Sequence, residues 1–288
     1  MEQFQQIAIH GVGLMGASLG LAAKRCGAAQ RIVGVGRDIA LLERARGLGC
    51  IDRTSTDLAT VLKDSDLIVL CTPVRHILSA LREVAQTAPA DAIVTDVGSV
   101  KASLVSEAEK HFTGPSHFLG SHPIAGSEKS GAEFAREDLF DNACCFLTPT
   151  VNSAPETVER LRWFWQMLGC RITITSPERH DALMAAVSHA PHLTAVALVE
   201  ALKRLGEQQE TINEVSGKGL RDATRLALGP SAVWRDICLE NRQELLKALD
   251  AVGDSLQRLR RAVDDGDGPA LMEILEAAAQ DRAHLDNS

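Results

Sequence analysis

The sequence predicts an α/β amino-terminal domain over residues 1–175, joined to an all-helical domain over residues 176–288. Three observations predict this division. From Ile7 to about Ser176, short apolar runs alternate with helical patterns, as in a mostly parallel sheet with helices on both faces. From Pro177 onward, long Ala/Leu/Glu/Arg-rich stretches carry apolar residues at three- and four-residue spacing, broken only around Ser216–Gly219 and Gly229-Pro230. At the junction, Ser176-Pro177-Glu178 supplies an N-cap, a first-turn proline and an early acid, which together start a helix.

The expected strands are Ile7–Ile9, Arg31–Val35, Leu67–Cys71, Ala92–Asp96, His117–Gly120, Cys144–Thr148 and Arg171–Thr175. The 288 residues are 45% hydrophobic and 24% charged, enough to bury one large core or two modest ones. A formal charge of −8 disfavours nucleic acid or an anionic membrane as partner and leaves a small molecule. The seven cysteines are odd in number, scattered and without CxxC spacing, so they read as buried apolar residues in a reducing compartment, with no metal site. The chain opens on a strand pattern, and no eighteen apolar residues run uninterrupted, so a soluble cytoplasmic protein is expected.

Directly after the first strand comes Gly11-Val12-Gly13-Leu14-Met15-Gly16, opening a helix rich in Ala and Leu. In a Rossmann-type dinucleotide fold, Gly11 permits the tight turn, Gly13 lets the backbone approach the pyrophosphate, and Gly16 lets helix and strand pack closely. Leu14 and Met15, with Thr72 and Pro73 beyond the strand Leu67–Cys71, complete this end of the expected cofactor site. The second strand ends Val35-Gly36-Arg37-Asp38. A carboxylate at that tip suits the ribose hydroxyls of NAD, whereas an open Gly36 followed by the Arg37 guanidinium suits the 2′-phosphate of NADP. NADP is the expected preference. NAD remains open, because Asp38 could turn in toward the ribose while Arg37 stays solvated.

Two further segments sit at expected strand ends: Gly98-Ser99-Val100-Lys101 and Gly120-Ser121-His122-Pro123-Ile124-Ala125-Gly126-Ser127-Glu128-Lys129-Ser130-Gly131. The helical half adds Ser188-His189-Ala190-Pro191-His192 and Asp222-Ala223-Thr224-Arg225. In these four segments, in this order, the sequence resembles the prephenate/arogenate (cyclohexadienyl) dehydrogenase family of tyrosine biosynthesis. The resemblance runs from the glycine loop into the C-terminal helices. It implies oxidative decarboxylation of prephenate, arogenate or both, with transfer of hydride to NADP or NAD, in a homodimer built through the C-terminal helices.

Such a reaction needs a base for the ring hydroxyl, a positioning hydrogen bond and a cation for carboxylate. His122 matches the family's catalytic histidine, and an imidazole accepts a proton near neutral pH. Ser99 is expected to hold the same hydroxyl; its structural alternative is to cap the next helix. Arg225 matches the arginine that grips substrate carboxylate, with Asp222 one turn back to hold the guanidinium. The resemblance also puts His192, Ser188, His189, Glu128 and Trp234 around the substrate. For Glu128 the bland alternative is a solvated loop residue, and for Trp234 a helical core or interface residue. His-x-x-His without a glutamate in HExxH position is not a zinc signature.

Competing readings have less support. The lysine-bearing G-x-x-x-N-x-x-K helix of the β-hydroxyacid dehydrogenases is absent from this sequence. A cofactor-binding sensor without catalysis would not need Ser99, His122 and Arg225 together. His192 leans slightly toward prephenate, since an acidic residue there would suit the arogenate ammonium.

Overall fold

A computed structural model describes residues 2–113, 117–126, 129–206 and 209–285. Among these, nine strands form two sheets. β1 (Phe4–His10), β2 (Ala29–Val35), β3 (Arg53–Ser55), β4 (Leu67–Leu70), β5 (Ile93–Asp96) and β6 (His117–Phe118) form an all-parallel sheet in the order β3-β2-β1-β4-β5-β6. This is the doubly wound order, in which a ligand cleft opens at the carboxyl ends of the central strands. β7 (Gly120–Pro123), β8 (Cys144–Thr148) and β9 (Arg171–Ile174) form the second sheet, with β7 antiparallel to β8 and β9 parallel to it.

Alternation along β1 sends Ile7 and Ile9 to one face of the parallel sheet and Ala8 to the other. On the first face lie α1 (Leu14–Arg25) and α6 (Pro155–Met167), closing a core around Phe4, Phe164 and Trp165. On the second lie α3 (Leu58–Leu62), α4 (Val74–Thr87) and α5 (Ala102–His111), closing a core around Ile68, Ile77 and Leu104; α2 (Ile39–Gly47) follows β2. Burial of these apolar faces at about 25 cal/mol per Å² is the main force holding the layers together.

Where one strand was expected over His117–Gly120, the structure has two, and β3 was not foreseen. After β6 the chain leaves the parallel sheet and pairs with β8, placing His122 opposite Phe146 inside the second sheet, not at the tip of a parallel strand. Hydroxyls stitch the seam. Thr95 Oγ1 donates to the Leu119 carbonyl at 2.7 Å, and Ser121 Oγ donates to the Asp96 carbonyl at 2.6 Å.

Beyond β9 all described elements are helical: α7 (Pro177–Met184), α8 (Ala190–Arg204), α9 (Gln209–Val215), α10 (Lys218–Thr224), α11 (Ser231–Glu240), α12 (Arg242–Asp264) and α13 (Gly268–Leu285). Ser176 caps α7, its Oγ accepting from the Arg179 N–H at 3.1 Å. By contacts, residues 1–241 form one unit and 242–288 a second. That boundary differs from the change of fold class near residue 175, because α7 packs against α5 and β8. The second unit is α12 and α13 packed together across a turn at Gly266, whose φ of +63° suits glycine.

The run Pro177–Arg204 is long and apolar enough, at mean hydropathy 1.5, to cross a membrane. It nonetheless carries buried, hydrogen-bonded His180 and Asp181, which fits a core helix.

Candidate active site

The glycine loop is shaped by three different constraints. Gly11 has φ +97°, and an added Cβ would lie 2.7 Å from Thr72 Cγ2. A Cβ on Gly16 would meet the Gly11 carbonyl oxygen at 2.2 Å, so α1 can approach β1 only with glycine there. A Cβ on Gly13 would meet nothing within 4 Å among the described residues outside its own turn, and the start of α1 has no side-chain cap. Open space in front of free N–H groups at a helix N-terminus fits a pyrophosphate. Leu14 and Met15 form the half-buried first turn of α1, and Pro73 caps α4. Thr72 Oγ1 and His10 Nδ1 are buried without a hydrogen-bond partner among the described residues, at the ends of β4 and β1 where a bound dinucleotide would supply one. His10 was not foreseen; its signal is one polar residue ending an apolar strand.

At the tip of β2, a Cβ on Gly36 would touch only the Leu42 side chain, at 3.6 Å or more. Arg37 is exposed. Asp38 Oδ1 accepts from the Ala40 and Leu41 N–H groups and caps α2.

His122 is 8% exposed. Its Nδ1 lies 2.8 Å from His180 Nε2, and His180 Nδ1 lies 2.7 Å from Asp181 Oδ1. No partner holds His122 Nε2 among the described residues. Burial, reinforced by His180, Lys101 and His189, pushes the His122 pKa well below its ordinary value, so the ring is neutral near pH 7. His180 is lowered by burial too, against the pull of Asp181. Asp181 has a second job. Its Oδ1 accepts from the Lys101 N–H at 2.7 Å and its Oδ2 from the Ala102 N–H at 2.9 Å, which caps α5 from another helix.

That finding corrects the alternative for Ser99, which does not cap α5; no side chain of its own segment does. Ser99 sits in the bend between β5 and α5, half-buried. The bend is pinned by a fully buried ion pair between Asp96 and Lys101, and by the Gly98 N–H donating to Asp96 Oδ2 at 2.8 Å. Next to the cofactor loop, Gly126 lies 3.6 Å from Met15 Sδ as measured from an added Cβ, so the segment after His122 packs on the first turn of α1. Glu128, expected beside the substrate, lies outside the described residues.

A π-turn, Ala185–His189, links α7 to α8 and contains Ser188 and His189. Such turns shift the helix register and recur at functional sites. Here His189 and His192 both face Trp234: His192 stacks on the indole at 3.5 Å and 10°, and His189 meets it edge-on at 6.1 Å. Burial lowers the His189 pKa to about 4 and lowers that of His192 as well. Asn241 Nδ2 donates to the Asp181 carbonyl at 2.8 Å and lies 3.1 Å from His189 Nδ1, joining the two histidine groups.

Arg225 opens a 3-10 turn, Arg225–Leu228, that packs on α8. Its guanidinium is exposed and pairs with no carboxylate among the described residues, so the expected brace from Asp222, itself exposed, is not formed. The backbone departs from regular helix geometry at Thr224 (φ −103°, ψ −3°), between the two residues, which breaks the i,i+3 relation the brace required.

Hydride transfer coupled to proton removal needs a dinucleotide cradle beside an imidazole with a free nitrogen, and the class this fold and site define is the nicotinamide-dependent dehydrogenase. Comparison with known proteins narrows the class. The family described as prephenate dehydrogenase, nucleotide-binding domain, matches residues 19–174, and prephenate dehydrogenase, dimerization domain, matches residues 176–277. The cyclohexadienyl dehydrogenase of Zymomonas mobilis is 32% identical over 99% of this chain and 97% of its own. The prephenate dehydrogenase of Bacillus subtilis is 32% identical over 97% of this chain and 76% of its own. Among solved structures, the prephenate dehydrogenase of Aquifex aeolicus in complex with hydroxyphenyl propionate and NAD+ superposes with a TM-score of 0.93 at 33% identity, covering 99% of both chains. Synechocystis arogenate dehydrogenase gives 0.84 at 32%, covering 98% of this chain and all of the other. The chain belongs to the prephenate dehydrogenase family.

Proposed function

We propose that this chain oxidatively decarboxylates prephenate, with arogenate as the second candidate, using His122 as base, and that residues 1–175 carry the cofactor while 176–288 carry substrate contacts and the dimer interface. Bound nicotinamide dinucleotide supplies the hydride acceptor. Ser99 orients the C4 hydroxyl, and His122 Nε2 takes its proton as hydride leaves C4. Carbon dioxide departs from C1, the ring becomes aromatic, and the proton returns to the phenolate oxygen, so protons and electrons balance. Arg225, free of any internal carboxylate among the described residues, grips the substrate carboxylate. His192, His189, Ser188 and Trp234 bound the side-chain end. Glu128 is assigned there by family resemblance.

The observation that carries the reading is His122 itself: buried, held at Nδ1 by His180, kept neutral by its surroundings and, among the described residues, without a partner at Nε2. NADP is the proposed preference, supported by open Gly36 and exposed Arg37, and NAD a second cofactor. Exposed Leu246, Leu256, Val263, Met272 and Leu275 on α12 and α13 support a homodimer through the C-terminal helices. The proposed location is the cytoplasm, where seven free cysteines stay reduced.

Steady-state assays of the purified protein with prephenate or arogenate, each with NADP and NAD, test the function by absorbance of reduced nicotinamide and appearance of the phenolic product. Turnover of prephenate, faster with NADP, is expected. No turnover of either acid with either cofactor overturns the reading.

A further inference from the structure

We propose that His180 and Asp181 are positioning residues for the reaction, which set the tautomer of His122 and carry part of the positive charge that His122 gains when it takes the substrate proton. The inference rests on the reading of His122 as base. Its starting point is the order of acceptors along the line His122, His180, Asp181. A carboxylate only accepts, so the 2.7 Å contact from His180 Nδ1 to Asp181 Oδ1 puts the His180 proton on Nδ1. His180 Nε2 then has a lone pair and accepts from His122 Nδ1–H at 2.8 Å. With its proton on Nδ1, His122 keeps its lone pair on Nε2, the nitrogen without a partner among the described residues. One carboxylate thereby determines which nitrogen of a ring two side chains away can act as base.

The charges around the pair explain why a carboxylate is needed. His122 faces the Lys101 cation from the start of α5 and His189 from the π-turn, and both disfavour a second positive charge. Asp96 faces His180 from the end of β5, but its carboxylate is already paired with Lys101. The Cys145 thiol, taking a hydrogen bond from the His122 backbone, is held protonated by burial. Asp181 is therefore the negative group placed to balance a protonated histidine pair. The same side chain holds the N-terminus of α5, the helix that follows the Ser99 bend. The tautomer of the base and the placement of the hydroxyl-binding serine thus depend on one residue.

Neither His180 nor Asp181 is assigned to touch substrate, so the test is a readout that a purely structural role would not move. Three variants, His180→Gln, Asp181→Asn and His122→Asn, are compared with wild type by kcat, KM, NADP dissociation constant and the pH profile of kcat/KM. The glutamine amide can still accept from His122 Nδ1–H but cannot share an imidazolium charge. The expected loss in kcat is roughly 10- to 100-fold, with KM and NADP affinity within about twofold of wild type. For Asp181→Asn a larger loss is expected, and the acid limb should move to lower pH, because the histidine pair is harder to protonate without the carboxylate. If Asp181→Asn does not fold, His180→Gln still decides. Normal kcat in His180→Gln, or Asp181→Asn that lowers Tm while kcat and the acid limb stay at wild-type values, overturns the inference. Near-normal turnover in His122→Asn instead overturns the base assignment on which it rests.

Discussion

The glycine loop and the histidine cluster are built in opposite ways. Gly11, Gly13 and Gly16 lie within six residues, and each constraint on them is met by neighbours in one βα turn or by the adjacent strand end. The histidine cluster takes His122 from a strand of the second sheet, His180 and Asp181 from α7, and Asn241 from beyond α11, with sequence separations of 58 and 60 at its main hydrogen bonds. A cofactor cradle can therefore be specified by a short motif, whereas the environment that tunes the base exists only once the two sheets and α7 have come together.

Variants on the two sides of that contrast should differ in kind. The largest effect is expected at the cluster: His122→Asn keeps polarity but removes the base, so kcat falls by roughly 10²–10⁴ while NADP affinity measured by titration hardly changes. A matching loss of cofactor affinity would mean that the two regions are not separable. Next comes Arg225→Ala, for which KM for prephenate should rise by one to two orders of magnitude, as expected for about 1.5–3 kcal/mol of charged hydrogen bonding, with kcat less affected. An unchanged KM would place the carboxylate elsewhere. At the cofactor end, Gly36→Asp has room beside Leu42 and puts a carboxylate against a 2′-phosphate. About 1 kcal/mol or more of lost attraction should reverse an NADP preference in kcat/KM without touching the pH profile. Clear wild-type preference for NAD would show that Arg37 is merely solvated.

The smallest and most diffuse effect concerns stability. His122, His180, His189 and His192 all have pKa values lowered on folding, that of His189 to about 4. The unfolded chain binds more protons just below pH 6.5, so their contribution is fully present above that pH and is lost as pH falls toward the folded values. Urea midpoints should decline between pH 6.5 and 5 and stay level above 7. A flat or rising midpoint on acidification would show that the cluster is wetter than its burial implies.

The difference between the regions also explains what could be read from sequence. The loop, the doubly wound sheet and the start of α7 at Ser176 follow from local chemistry: glycines, alternating apolar runs, a cap and a first-turn proline. The two-sheet division at Leu119 is not local, since β6 and β7 differ only in which strand they pair with. His180 and Asp181 left a trace that went unused. With Pro177 and Met184 they occupy the buried i, i+3, i+4, i+7 positions of α7, where apolar residues are expected, and a titratable pair on such a stripe signals a buried network. The brace from Asp222 to Arg225 failed for the complementary reason: an i,i+3 argument holds only while the helix continues, and here α10 ends between the two.

The most direct test of His122 as the base is the pH dependence of kcat/KM with prephenate, for wild type and His122→Asn together. A base must be deprotonated to act, and burial lowers the His122 pKa, so wild-type activity should be level around neutrality and fall only below pH 6.5. In His122→Asn the residual activity should lose that acid limb. The same limb persisting unchanged in the variant would contradict the assignment and move the proton acceptor to another group, with His189 and His192 the first to examine.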